Sequence, residues 1–339
     1  MSIRKIFPQN IYKDKIIYLD KKEWQIYYST KYKYPYLVIE DIKLDSGIKP
    51  QKEQIKRTEI EDPFMPDPEI PPKESYTKKD YDNYMMYGGS MGHNAPAGSH
   101  KTNMDIYNDT YKFSNMTPQE ITFNAGVWVV LESWCRYVSK NMNLKNFTIL
   151  TGSIPNKKNN LFNNTEMNVP THMYKIVLCQ KRMVHPSRQN NIFYACFLYP
   201  NIPILPNNEN TQLWKYLIRI NDFFNLTGIE LNPIIKKYYP KIRMNQMRLY
   251  HMNKINPIKF FVKGYLEIQM KKAEMYGKLI YSNTLEELEK NWQDCESQKE
   301  EFKDLQFHRE YYDMAKKRIE KLSRSERILK NKKKKKNII

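Results

Sequence analysis

The chain has 339 residues, 40% of them hydrophobic, which is enough for one sizeable domain with its own core and an appendage. Fifty-six Lys and Arg against 37 Asp and Glu leave a formal net charge of +19, a balance that favours polyanionic partners: nucleic acid, or an acidic membrane surface. No run of about twenty apolar residues is present, so no membrane-spanning helix is expected.

Residues 1–23 read as a short basic lead without a secretory apolar region. Residues 24–42 read as two strands around Lys33-Tyr34-Pro35. Lys43 to Ser75 is polar and carries Pro63, Pro66, Pro68, Pro71 and Pro72, the composition of a long surface loop. Gly88-Gly89 then relax the backbone ahead of Ser90-Met91-Gly92-His93. Val127, Val130, Leu131, Trp134 and Val138 recur at helical intervals, which predicts an amphipathic helix from about 124 to 140. Asn124, Glu132 and Arg136 fall away from most of that stripe.

Asn156 to Asn168 is a polar loop, and Met173–Leu178 and Asn191–Leu198 read as central strands. Thr284 with Glu287 forms a capping box ahead of Leu285, Leu288, Trp292 and Cys295, so one or two long helices are expected from 284 to about 330. Lys332 to Lys336 is a like-charge run expected to be disordered when alone. The division along the chain is thus 1–23, 24–240, 241–330 and 331–339. Cys135, Cys179, Cys196 and Cys295 lack metal-ligand spacing. The first three sit in apolar runs, as core thiols do. Sparse, unpatterned cysteines point to a reducing compartment.

A phosphodiester-cleaving site needs a base, a hard divalent ion and cations for the phosphate. Mg²⁺ keeps most of its waters, so one amide oxygen and a carboxylate reaching its water shell suffice. His93, Asn124 and Glu132 supply that minimal set. Ser90-Met91-Gly92-His93, Phe113-Ser114-Asn115-Met116-Thr117-Pro118-Gln119 and Phe123-Asn124-Ala125-Gly126-Val127-Trp128 follow one another in order. Thr151-Gly152, Val169-Pro170-Thr171-His172-Met173-Tyr174-Lys175, Phe197-Leu198-Tyr199-Pro200-Asn201 and Leu226-Thr227-Gly228-Ile229 come later. This series, from about residue 24 to 238, resembles the DNA/RNA non-specific endonucleases of the ββα-metal type.

The resemblance implies an α+β fold with a central antiparallel sheet flanked by helices, here followed by a C-terminal helical extension. It implies that His93 is the general base, that Asn124 holds Mg²⁺ (or Mn²⁺), and that Glu132 orients the metal's water. Arg57, ahead of Asp62-Pro63, and Arg136 would bind phosphate, and Asn115 would order the site. Ser90, the His-x-Ala-Pro-Ala-Gly stretch, Trp134-Cys135-Arg136 and the extension are similar to the endonuclease G / exonuclease G branch. That likeness implies a mitochondrial address, a nucleic-acid substrate and the homodimer frequent in the family.

Met91 stands where the family has arginine, and methionine cannot hydrogen-bond phosphate. Two readings therefore stay open. One is a Mg²⁺-dependent nuclease acting on DNA, with RNA left open as a further substrate. The other is a catalytically degenerate fold kept as a basic RNA-binding subunit of a large assembly, such as a mitochondrial ribosome. An exported nuclease is disfavoured by the missing signal segment and disulfide pattern. His172 lies in a strand motif and reads as structural. His100, His185, His251 and His308 have no partner spacing and read as surface or packing residues.

Overall fold

The computed structural model describes residues 6–7, 15–42, 63–101, 103–142, 144–157, 167–182, 190–204, 213–244, 247–252, 257–298 and 305–336. Arg57, Asp62, His185 and most of the 156–168 loop lie outside the described residues.

The two strands expected over 24–42 are β2 (Trp24–Ser29) and β3 (Tyr34–Asp41), paired antiparallel. A third, β1 (Ile16–Asp20), pairs with β2, so the segment read as a lead contributes a strand at the sheet edge. The long strands β6 (Leu144–Ile154), β7 (His172–Lys181) and β8 (Asn191–Pro200) continue the sheet. The order runs β1-β2-β3-β6-β7-β8-β10, with the short β9 (Leu217–Ile218) also pairing with β8. The pairing is antiparallel apart from β10 (Arg248–His251), which lies parallel to β8.

The two faces of this sheet carry different side chains because successive residues alternate. Phe147, Ile149, Met173, Val177, Ala195 and Phe197 pack with α4 (Val129–Asn141). Leu150, Ile176, Leu178, Tyr194 and Cys196 pack with α5 (Ile220–Thr227) and α6 (Asn232–Tyr238). Helices thus cover both faces, which explains why the central strands are apolar almost throughout. The predicted stripe Val127, Val130, Leu131, Trp134 and Val138 is fully buried on the sheet. Each such side chain contributes about 2 kcal/mol.

A second, two-stranded sheet joins β4 (Gly89–His93) to β5 (Met116–Glu120), in a register that sets His93 opposite Met116. Between them lie α2 (Met104–Asp109) and a short turn over Phe113–Asn115. Ahead of them, α1 (Lys78–Met85) starts on a capping box in which Thr77 and Asp80 bond reciprocally.

Three helices close the chain. The helix α7 (Pro257–Ile280) falls in the 241–330 extension, where sequence periodicity sets no bounds for it, whereas α8 (Leu285–Ser297) and α9 (Leu305–Lys336) lie where one or two long helices are expected. Thr284 caps α8 by accepting from the Glu287 amide, while Glu287 turns back to the amide of Asn283. The helix α9 continues through Lys336, where the like-charge run was expected to be disordered. Extending a helix already anchored by packing costs far less than nucleating one. All four cysteines are buried and free. Burial pushes the thiols of Cys135 and Cys179 up to about 12. Among the described residues, no helix is long and apolar enough to cross a membrane.

Candidate active site

The helix expected over 124–140 is not one α-helix. A short turn over Ile121–Phe123 leads into a π-helical segment, Asn124–Trp128, and only then into α4. The break falls at Gly126, whose φ is −96° and ψ −108°. A Cβ on Gly126 would stand 3.2 Å from both the Cβ of Ala273 and the sulfur of Met270 in α7, a tight approach that α7 could accommodate only by shifting a few tenths of an ångström. Wide π turns of this kind re-aim side chains near functional positions. Here the turn carries Asn124.

The amide of Asn124 is oriented by β4. Its Nδ2 donates to the Ser90 hydroxyl at 3.1 Å, and that hydroxyl donates to the Gln119 carbonyl at 3.1 Å. With the nitrogen committed to Ser90, the amide presents Oδ1 as its acceptor end. His93 follows three residues later on the same strand, half-buried. Tyr111 meets its ring edge-on at 4.9 Å and Phe64 lies 6.0 Å away, so two aromatic rings hold the imidazole.

Asn115 is buried, with both ends of its amide engaged. Its Nδ2 donates to the carbonyls of Ala95 (2.9 Å) and Thr110 (2.8 Å), and its Oδ1 accepts from the Ala95 amide at 2.9 Å. It therefore braces the turn that follows His93. Met91, where the family has arginine, is buried in the apolar core.

Glu132 is buried on α4. Burial raises its pKa, Lys175 and Arg136 pull it down, and Glu40 pushes it up, leaving it above the ordinary carboxylate range. The sheet register explains these neighbours. Lys175 lies opposite Thr151, and its Nζ donates to Thr151 Oγ1 at 2.6 Å. It shares the face of β7 that carries Met173 and Val177 under α4, and its Nζ stands 4.8 Å over the ring of Trp128. Arg136 donates from Nη2 to Ser133 Oγ at 2.7 Å, while its buried Nη1 has no hydrogen-bond partner among the described residues. A Cβ on Gly98 would lie 3.3 Å from that Nη1, so the guanidinium rests against the segment just past His93.

The structure thus brings His93, Asn124, Glu132 and Arg136 onto β4 and the helix beside it. Asn115 lies behind them, and Arg57 lies outside the described residues. The donor set suits a hard ion that keeps its waters: one oriented amide oxygen and one carboxylate. Among the described residues, no group of three or more His, Cys, Asp or Glu side chains is placed to hold a metal in another way.

A family model described as DNA/RNA non-specific endonuclease matches residues 6–236. The chain belongs to that family. It is 32% identical over 184 residues to "Nuclease EXOG, mitochondrial" of Danio rerio, covering 51% of this chain and 50% of that protein. It is 30% identical over 226 residues to the "Mitochondrial nuclease" of Saccharomyces cerevisiae, covering 62% of this chain and 64% of that one. The chain therefore spans about half the length of the first relative. The fold is also that of the "EndoG/EndoGI complex" crystal structure, with a TM-score of 0.54 at 21% identity over 69% of this chain and 89% of that chain.

Within this endonuclease fold, three residues gain places that sequence reasoning did not assign. Ser90, in the sequence only a branch marker, orients Asn124. Lys175 had been read only as part of a landmark; its position in a strand flanked by apolar residues is the one signal that it is a buried cation. His100, read as a surface or packing residue, is buried between two carboxylates. Its Nδ1 lies 2.6 Å from Glu23 and its Nε2 lies 2.8 Å from Glu40. Burial alone would discharge it, but the hydrogen bonds to Glu23 and Glu40 outweigh burial and push its pKa up to about 9. The resulting ion pair ties the segment after His93 to β2 and β3.

Proposed function

We propose that the protein is a metal-dependent nuclease that hydrolyses phosphodiester bonds of DNA without sequence preference, with RNA left open as a further substrate. The observation that carries this reading is the hydrogen bond from Asn124 to Ser90, which turns an amide oxygen outward beside the strand that holds His93. In this reading His93 takes a proton from the attacking water as the new P–O bond forms, while the scissile P–O ester bond breaks and its leaving oxygen takes a proton from water. Arg136 binds a phosphate oxygen through Nη1, which has no hydrogen-bond partner among the described residues. Asn124 would hold Mg²⁺, or Mn²⁺ in its place, with Glu132 hydrogen-bonding the ion's water. When bound, such an ion neutralises charge developing on the phosphate. Arg57 is proposed as a second phosphate contact.

The names of the relatives extend this proposal to a mitochondrial protein, and the net charge of +19 agrees with a nucleic-acid substrate. A homodimer is proposed on the family's habit. Residues 24–240 are proposed as the nuclease unit, with 241–330 as its helical extension.

Supercoiled plasmid and single-stranded RNA, incubated with purified protein and Mg²⁺ or Mn²⁺, test the reading. Cutting should occur with metal, stop with EDTA and be absent in His93→Ala. A specific observation favours the second reading: the side chain at position 91 is an apolar core residue rather than a cation. Binding of RNA without cutting under either metal would select it, and would make this a nuclease fold retained as a basic subunit of an RNA assembly.

A further inference from the structure

The residue after α7 joins the C-terminal helices to both strands of the candidate site. Tyr281 follows the last residue of α7, and its hydroxyl donates to Glu120 Oε1 at 2.7 Å. The other oxygen of the same carboxylate accepts from the Phe123 amide at 2.7 Å and from the Thr122 hydroxyl at 2.6 Å. Glu120 is thereby the N-cap of the turn that delivers Asn124. Its own backbone amide is held by Asn201 Oδ1 at 2.9 Å.

The ring of Tyr281 also presses on the opposite strand. Gly88 has a φ of +93° and immediately precedes β4; a Cβ there would lie 2.5 Å from the Tyr281 hydroxyl. The carbonyl of Gly88 accepts from the Ile121 amide at 2.9 Å. One phenol therefore contacts the entry to the strand carrying Ser90 and His93 and the cap of the turn carrying Asn124. Tyr281 is held in turn from α9. The buried guanidinium of Arg318 donates to the carbonyls of Ile280 and Ser282, which flank it. Farther back along α7, Met270 and Ala273 close on Gly126 in the π turn.

We propose that Tyr281 is a positioning residue: through Glu120 and Gly88 it sets Asn124 against His93, making the C-terminal helices part of the catalytic unit. This rests on the reading of His93 and Asn124 as the reacting centre. The alternative role for the helices is a separate arm that only handles substrate, and it predicts no coupling between Tyr281 and the Asn124 turn.

The test uses the full chain with Tyr281→Phe, which keeps the ring and removes the hydroxyl, and measures hydrogen exchange together with Mn²⁺ binding followed by electron paramagnetic resonance. Losing a hydrogen bond to a charged acceptor should speed exchange of amides 121–128 by about tenfold. Mn²⁺ affinity should fall by a similar factor, with β6, β7 and β8 exchanging as before. Arg318→Met, which leaves Tyr281 in place but frees its flanking carbonyls, should show the same local pattern. Unchanged exchange and Mn²⁺ affinity in both variants would overturn the proposal. So would a uniform rise in exchange across the whole sheet, which would make the contact merely structural. If the wild-type chain fails to cut nucleic acid while the local coupling is present, the nuclease reading fails, the catalytic part of the proposal falls with it, and only the coupling of Tyr281 to the Asn124 turn stands. If the wild-type chain cuts and Tyr281→Phe matches it in every readout, the role of Tyr281 fails alone.

Discussion

Glu132 sits among groups that act on its proton affinity in opposite directions. Burial and Glu40 favour its neutral form, while Lys175 and Arg136 favour the carboxylate. A carboxylate that must hydrogen-bond a metal's water as an acceptor works only when ionised. Activity should therefore fall as pH drops through its raised pKa. Lys175→Met removes a favourable charge at similar volume, raises that pKa further and should move the acidic limb of the pH–rate profile to higher pH. A limb that stays in place would show that Glu132 is not the group titrating there.

Ser90→Ala makes a separate prediction. It frees the Asn124 amide to rotate, and at about 1 kcal/mol for a neutral hydrogen bond, metal affinity should drop roughly fivefold. Isothermal titration of Mn²⁺ reads this directly, and unchanged affinity would remove Ser90 from the site. His93, Asn124, Glu132 and Arg136 could be nominated from the sequence because the ordered family motifs carry those residue types. Ser90 could not, because its partner lies across from β4 on another element and only the tertiary fit joins them. Lys175 and His100 were hidden for a related reason: a buried charge is defined by the counter-charges around it, which sequence distance does not reveal.

At the scale of elements, the His100 ion pair clamps the segment after β4 to β2 and β3. Its folded pKa of about 9 lies above the ordinary value of 6.5, so the pair contributes stability that is fully present below about 6.5. That stability is lost as pH rises through about 9. The shift corresponds to about 3 kcal/mol. The thermal midpoint should accordingly fall between neutral pH and pH values above about 9. His100→Gln should be less stable at neutral pH and show a flatter profile; a wild-type midpoint that does not decline over that range would contradict the ion pair.

Element boundaries show what periodicity can and cannot report. The stripe from Val127 to Val138 identified the helix on the sheet correctly. It could not show the π turn at its start, because that break answers to α7 pressing on Gly126. The bounds of α7 were not legible because the helix is buried on two sides. Met270 and Ala273 face the π turn, while Tyr276 packs on Tyr311 and His308 of α9, so its apolar residues form no single stripe.

The whole molecule is a helix-covered sheet with the candidate site at one end of α4 and a further layer of helices packed beside it. That layer is continuous with the core: Tyr276, Leu279, Trp292 and Tyr312 belong to the same buried cluster as Leu37, Ile176 and Cys196. A chain ended at residue 256 would expose this apolar surface and unseat Gly126. Such a chain should lose metal-dependent cleavage and associate in solution, as gel filtration would reveal. A truncated chain that stays monomeric and cuts normally would show that the last three helices are an independent appendage. The net charge of +19 also makes substrate binding an electrostatic event, so affinity for single-stranded RNA should weaken steeply with salt.

The most direct test of the account measures Mn²⁺ affinity and plasmid cleavage on the same preparations of the wild-type chain, His93→Ala and Asn124→Ala. His93→Ala should bind Mn²⁺ like the wild type without cutting, and Asn124→Ala should do neither. An Asn124→Ala variant that binds and cuts normally, or a His93→Ala variant that still cuts, would contradict these roles.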